Sequence, residues 1–136
     1  MRLRHEFALF LLGGGLGLLI DAAVVQALVR LAGEDPYLAR LPSFLLAASF
    51  TWWWNRRWTF AGRSSGHAAR GEWLRWILLM GLGAVLNYAV YAVALGLFPA
   101  LLAWPALAVA AGSAAGALVN FALARRVLFR HPGNIA

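Results

Sequence analysis

The sequence contains no lysine and no cysteine, and it carries five acidic residues against 12 arginines. Without cysteine, a disulfide framework and a thiolate metal site are both excluded. The three histidines lack the spacing of metal ligands, so we expect neither a metal site nor a cofactor. No nucleophile–base pair is visible, and no phosphate-binding loop for ATP is present, so we expect no enzyme activity.

Charged side chains are missing altogether between residues 76 and 124, a run of 49 residues. One membrane-spanning helix needs roughly 20 apolar residues, so this run holds two. The whole chain is 62% hydrophobic and 12% charged, whereas soluble domains are about 45–50% apolar and about 25% charged. The start "MRLRHEFALF" is similar to a signal peptide, but the apolar pattern continues to about Val29 and predicts a retained first span. We therefore predict an all-α membrane protein with four transmembrane helices, at about 7–29, 37–57, 73–97 and 104–124.

The arginines define an orientation in the membrane. Ten of them fall on one side of the predicted spans, and only Arg30 and Arg40 fall on the other. Because arginine marks the cytoplasmic side, both termini are predicted to be cytoplasmic. The net charge of +7 could also indicate nucleic-acid binding. The sequence has no basic helix and no aromatic-basic RNA motif, so we expect no nucleic-acid partner.

The two halves of the chain align with each other as tandem two-helix hairpins. A shift of 66 aligns Glu6 with Glu72 and Asp21 with Asn87; after a three-residue insertion, a shift of 69 aligns 56–57 with 125–126. Each unit has an even number of helices, so both run the same way through the bilayer and a pseudo-twofold axis lies along the membrane normal. We predict one domain, 1–136, made of repeat 1 (about 6–60), a cytoplasmic loop (about 61–71) and repeat 2 (about 72–130).

Small residues repeat every four positions along the spans, which places them on one face of each helix. They lead towards a polar residue, as in the series Gly13, Gly17, Asp21. Because lipid provides no hydrophobic drive for helix association, small residues at helix contacts allow close packing. The run "GGGLG" would need a preceding strand to be a nucleotide loop, and none is predicted. The residues predicted to pack the helices are Gly13, Gly17, Gly83, Gly112 and Gly116.

Asp21 is the one acid deep inside a predicted span, about 21 Å from Phe7 along the helix. A carboxylate at this depth costs roughly 2.5–3.5 kcal/mol on insertion scales, which favours an inward orientation, a partner or protonation. It could make a structural hydrogen bond across the bundle, or it could bind polar substrate groups or exchange a proton. A tryptophan of the cytoplasmic belt could stack on a sugar ring. The residues predicted along a transport path are Asp21, Thr51, Asn87, Asn120 and Trp54.

The stretch "FTWWWNRRWTF", residues 50–60, combines aromatic surface with positive charge at the end of the second span. Tryptophan favours the membrane–water interface, and arginine there could serve topology alone. A guanidinium group can also donate two parallel hydrogen bonds to phosphate oxygens. The aligned pairs Arg56–Arg57 and Arg125–Arg126 leave both roles open.

The chain resembles the GtrA family of small four-span bacterial membrane proteins. The motifs "FLLGGGLGLLID", "FTWWWNRRWTF" and "NFALARRVLF" carry the resemblance, which covers roughly residues 7–130. It implies translocation of a polyprenyl-phosphate-linked monosaccharide across the bacterial inner membrane, for modification of cell-surface polysaccharides. It also implies that Asn55, Arg56 and Arg57 contact the lipid phosphate. Ala124 replaces the asparagine in the second repeat, so only the first-repeat site would be complete.

Two alternatives to a flippase stay open at this level. One is a small proton-coupled exporter of the four-helix multidrug type, which would need an aromatic cage around Asp21. The other is a non-transporting scaffold for a glycosyltransferase. Transport would be passive or coupled to an ion through Asp21. Four short helices enclose little space, so we expect a homo-oligomer, with membrane lipid and possible glycosyltransferase partners.

Overall fold

The computed structural model describes residues 2–103 and 105–132, and they form four long helices. In the first half, α1 (Arg2–Ala32) packs mainly against α2 (Pro36–Trp54). In the second half, α3 (Ala69–Leu97) packs mainly against α4 (Pro105–Leu123). The predicted all-α class is therefore confirmed. The helices begin and end within a few residues of the predicted spans, although α1 starts five residues earlier and α3 four residues earlier.

Local sequence signals explain the turn between α1 and α2. Gly33 has a φ of 68°, a left-handed conformation that glycine adopts without steric cost, and it ends α1. Asp35 then accepts a hydrogen bond from the backbone N–H of Leu38 at 3.2 Å, as a helix N-cap does. Pro36 takes the first helical position, where its missing N–H is not needed.

Both arginine pairs lie in π-helices, at Asn55–Thr59 and Ala124–Leu128. Each one closes with the same hydrogen bond, from Phe60 N to Asn55 O and from Phe129 N to Ala124 O, both at 2.8 Å. Such wide turns are rare and often occur at functional sites. We call the end of the bundle that carries both π-helices the arginine end.

The hydrophobic core lies at the arginine end. The rings of Phe60 and Phe129, which occupy aligned positions, stack with centroids 5.0 Å apart and planes 18° apart. Two short strands, β1 (Arg63–Ser64) and β2 (His131–Pro132), pair antiparallel and tie the two halves together at the same end. The cluster of buried hydrophobic residues consists of Phe10, Phe60, Trp76, Phe121, Ala124, Leu128 and Phe129.

The outer surface of the helices is strongly apolar. Leucine and valine side chains such as Leu18, Leu78 and Val85 are about two-thirds exposed, at 67%, 65% and 67%. Extended apolar surface of this kind marks contact with lipid or with another protein. Within the described residues, two helices, α1 and α3, are long and apolar enough to cross a membrane.

The turn after α3 and the loop that joins the two hairpins both contain short structured segments. The turn after α3 contains a short 3₁₀ helix, Pro99–Leu102, and Trp104 lies outside the described residues. The cytoplasmic loop predicted at about 61–71 is more ordered than a simple linker. It contains β1, and its buried Ser65 donates a hydrogen bond to Glu72 at 2.6 Å.

Candidate functional site

A cavity of about 630 Å³ lies between the two hairpins and is lined by residues from all four helices. Most of its wall is apolar, with Leu11, Phe44 and Met80 among the lining residues. Polar side chains interrupt this wall at successive turns of the helices. They are Asp21, Thr51, Asn55, Asn87, Ser113 and Asn120.

Four of the five residues predicted along a transport path therefore line one cavity: Asp21, Thr51, Asn87 and Asn120. Three buried oxygens in its wall accept no hydrogen bond from any described residue, namely Asp21 Oδ1, Asn55 Oδ1 and Asn120 Oδ1. Buried polar atoms normally have a partner, because burying them unpaired costs free energy. These oxygens have unused hydrogen-bonding capacity beside the cavity, and that of Asn120 packs against Gly83.

Glycines bring the helices around the cavity into close contact. A Cβ on Gly17 would collide with Thr51, and one on Gly83 would collide with Asn120. Gly17 and Gly83 are aligned positions, as are Thr51 and Asn120, so the two hairpins repeat one contact. In the same way, Gly13 lies against the indole of Trp54, and Gly112 and Gly116 lie against Asn87. All five glycines predicted to pack the helices are buried.

The structure gives Asp21 a partner that the sequence did not indicate. Its Oδ2 lies 3.4 Å from the Nη2 of Arg40 in α2. The Asp21 side chain is 14% exposed, while that of Arg40 is 62% exposed. Within the described residues, no hydrogen bond across the bundle joins Asp21 to Asn87, Thr51 or Asn120. Arg40 therefore compensates the charge of Asp21, and it does so from the end of the bundle opposite the arginine end.

Trp54 packs between α1 and α2. Its indole N–H donates a hydrogen bond to the carbonyl of Leu9 at 2.9 Å, and its ring covers Gly13. Trp54 is not one of the described residues that line the cavity. The exposed tryptophans of this stretch are Trp53 and Trp58, whose rings meet edge to face with centroids 4.9 Å apart.

Asn55 lies at the arginine end of the cavity and is 1% exposed. Its amide donates a hydrogen bond to the carbonyl of Thr51 at 2.7 Å, one of the carbonyls at the end of α2. Its Oδ1 is one of the three unpaired cavity oxygens.

The first arginine of each pair binds a buried glutamate of the other hairpin. Arg125 Nε donates a hydrogen bond to Glu6 Oε2 at 2.6 Å, and Arg56 Nη1 lies 3.6 Å from Glu72 Oε1. Glu6 and Glu72 are 3% and 4% exposed. Because Glu6 aligns with Glu72 and Arg56 with Arg125, the two ion pairs are reciprocal. We call them the glutamate clasps.

The two clasps are unequal in strength. Glu6 also contacts Arg63 at 3.1 Å and Arg2 at 3.5 Å, so three guanidinium groups surround one carboxylate. Glu72 has one arginine partner, Arg56, whose side chain is 45% exposed. Neutral donors complete its shell, Trp52 at 3.0 Å and Ser65 at 2.6 Å.

The second arginines, Arg57 and Arg126, are exposed, and no hydrogen bond or ion pair joins either to another described residue. Arg57 shares a surface pocket of about 340 Å³ with Trp53, Arg56 and Ala61. The predicted phosphate residues therefore lie in three different surroundings. Arg56 and Arg125 belong to the glutamate clasps, Arg57 and Arg126 are exposed, and Asn55 lines the cavity.

Sequence reasoning did not identify Glu6, Glu72 and Arg40 as site residues. The alignment of Glu6 with Glu72 was a usable signal, since an acid is repeated where few acids occur at all. No group of three or more potential metal ligands occurs within the described residues.

Comparison with known families agrees with this architecture. The family model for the GtrA/DPMS transmembrane domain matches residues 9–129. The chain therefore belongs to the GtrA/DPMS transmembrane-domain family, and the resemblance drawn from its motifs is confirmed. No curated protein and no solved structure matches the chain.

Proposed function

We propose that this protein moves a polyprenyl-phosphate-linked monosaccharide across the bacterial inner membrane, where the sugar serves modification of cell-surface polysaccharides. The observation that carries the proposal is the cavity of about 630 Å³, whose polar residues are arranged along an otherwise apolar bundle. The protein's family, a transmembrane domain associated with lipid-linked sugars, supports the same assignment.

The proposed arrangement in the membrane has both termini and the arginine end in the cytoplasm, with two tandem hairpin repeats around a pseudo-twofold axis. The reciprocal clasps, the paired π-helices and the Phe60–Phe129 stack support the repeat relation. The arginine count supports the orientation.

The sugar and the phosphate would use different parts of the molecule. While the sugar crosses, its hydroxyls contact the polar side chains that line the cavity, such as Asp21, Asn87 and Asn120. The phosphate is held by guanidinium groups of an arginine pair at the cytoplasmic surface. The prenyl chain stays in the lipid beside the apolar outer surface. The protein acts without a catalytic step, and the sugar gradient drives net movement.

The Asp21–Arg40 ion pair argues against the exporter alternative. An exporter of cations would hold its acid ready for a positively charged substrate, whereas the cation nearest Asp21 is Arg40, at 3.4 Å. The exposed tryptophans lie at the arginine end, Trp53 in the last turn of α2 and Trp58 after it, and they form no cage around Asp21.

A reconstitution experiment tests the proposal. Vesicles containing the protein and a polyprenyl-phosphate hexose are treated with periodate, which oxidises vicinal diols and does not cross the bilayer. We expect nearly complete oxidation with the protein and about half, the outer leaflet, in protein-free vesicles. Half oxidation in both preparations would contradict transport and favour a scaffold.

The matched variant is Asn120→Leu, which replaces a polar side chain of the cavity wall by an apolar one. We expect it to slow oxidation of the inner leaflet while Leu118→Ala, on the exposed side of the same helix, leaves it unchanged.

A further inference from the structure

The two arginine pairs have different surroundings although they align in sequence. Arg125 is held at 2.6 Å from Glu6 and is 26% exposed, whereas Arg56 lies 3.6 Å from Glu72 and is 45% exposed. A short charge-assisted hydrogen bond to a buried carboxylate is a strong one, and a longer contact at an exposed guanidinium is weak. Arg125 is therefore committed to the protein, and Arg56 remains accessible to an anion.

A tryptophan cluster accompanies the first arginine pair. Trp53 lines the surface pocket together with Arg56 and Arg57, and its side chain is 47% exposed. At the positions aligned with Trp53, Trp54 and Trp58, the second half carries alanine, leucine and valine, at 122, 123 and 127.

The walls of this pocket are fixed rather than loose. Trp53 packs edge to face on Trp58, and Trp58 packs on Trp54 with centroids 4.5 Å apart. Trp54 in turn is anchored by its hydrogen bond to Leu9. The guanidinium of Arg56 lies 5.6 Å from the ring of Trp52, which restricts its position further. Preorganised groups bind a ligand at lower entropic cost.

We propose that the protein holds a single binding site for a sugar-linked phosphate anion, formed by Arg56, Arg57 and Trp53. Arg57 and Arg56 bind the phosphate oxygens, and the face of Trp53 packs against the apolar face of the sugar ring. The second-half pair does not bind substrate, because Arg125 belongs to the Glu6 clasp and the positions aligned with Trp53 and Trp58 carry Ala122 and Val127. This inference rests on the proposed function and adds to it a stoichiometry of one and an asymmetry between the halves.

The test is a lipid-binding measurement on the full chain in detergent, by native mass spectrometry and by titration. The probes are a polyprenyl-phosphate hexose, the polyprenyl phosphate without sugar, phosphatidylglycerol and inorganic phosphate. We expect one polyprenyl-phosphate hexose per chain, bound more tightly than the three probes without a sugar ring.

The variants form a matched set. We expect Arg57→Ala to weaken hexose-lipid binding by about tenfold or more, as the loss of a charge-assisted hydrogen bond does. The aligned change Arg126→Ala should alter it less than about twofold, on the same scale. Trp53→Ala should weaken binding of the hexose lipid and leave binding of the sugar-free polyprenyl phosphate unchanged. Arg57 and Arg126 are exposed, so circular dichroism should show intact helices in both variants.

Every other outcome refutes a defined part of the proposal. Equal losses from Arg57→Ala and Arg126→Ala, or two lipids per chain, would refute the single site and leave the proposed function standing. Equal binding of phosphatidylglycerol and the hexose lipid would show a general lipid-phosphate site without sugar recognition. Absence of any polyprenyl-lipid binding by the unmodified protein would refute both the site and the proposed function.

Discussion

The carboxylate of Glu6, near the start of α1, accepts a hydrogen bond at 2.6 Å from Arg125, which follows α4 and lies 119 positions away in the sequence. This contact joins the two ends of the described fold. With Arg63 and Arg2 it surrounds one buried acid by three bases, so the Glu6 clasp fixes how the hairpins meet at the arginine end. The cavity lies beyond this fixed end.

We expect Glu6→Gln to lower the free energy of unfolding by roughly 1–3 kcal/mol, because it removes the charge-assisted hydrogen bonds to Arg63 and Arg125, whose side chains are partly exposed. Unfolding in mixed micelles, followed by circular dichroism, measures the change. The control is Glu34→Gln, an exposed acid between α1 and α2, which should change stability by less than about 0.5 kcal/mol. Equal, small effects of both substitutions would show that the clasp does not stabilise the fold.

Helix packing around the cavity predicts a strong dependence on Gly112. An added Cβ there would lie 2.5 Å from the backbone carbonyl oxygen of Asn87, and the backbone cannot move aside as a side chain can. We expect Gly112→Ala to destabilise the protein by about 1–3 kcal/mol through overpacking. The same measurement on Gly81→Ala, where nothing lies within 4 Å, should show no loss. A neutral Gly112→Ala would mean that α3 and α4 do not pack this closely.

The Asp21–Arg40 pair predicts that substitutions of the two residues have non-additive effects on stability. Arg40→Gln removes the cation that contacts Asp21 and leaves the carboxylate in an apolar wall. The double variant Asp21→Asn with Arg40→Gln removes the charge as well. We expect the double variant to be more stable than Arg40→Gln alone, with an interaction energy of about 0.5–3 kcal/mol in a double-mutant cycle. Additive effects within about 0.3 kcal/mol would show that the two residues act independently.

Much of the fold follows from the sequence because a membrane restricts the alternatives. Long apolar runs have to form helices that satisfy their own backbone groups, and their lengths indicate where each one begins and ends. The four-residue spacing of Gly17 and Asp21 then predicts one face, and that face lines the cavity. The same reasoning placed Thr51, Asn87 and Asn120 beside it.

The clasps and the Arg40 contact could not be predicted in this way. Spacing along one helix says which residues share a face, but it does not say which side chains of distant segments meet. The two π-helices also change where each arginine points, because they widen the last turn. Sequence distinguished the two arginine pairs only by the asparagine missing at Ala124, whereas the structure separates Arg125, which Glu6 holds, from the exposed Arg57.

The absence of cysteine from the natural sequence allows a direct test of the central claim, that the cavity is the path of the sugar. Single cysteines are placed on α3 at Ala84, which lines the cavity, and at Ala89, which is exposed and is not among the described lining residues. Each is treated in vesicles with a water-soluble methanethiosulfonate, with and without a polyprenyl-phosphate hexose. We predict that the thiol of Ala84→Cys reacts and is protected by the hexose lipid, while that of Ala89→Cys stays unreactive in lipid. Equal reactivity at both positions, or no protection at Ala84→Cys, would contradict the account.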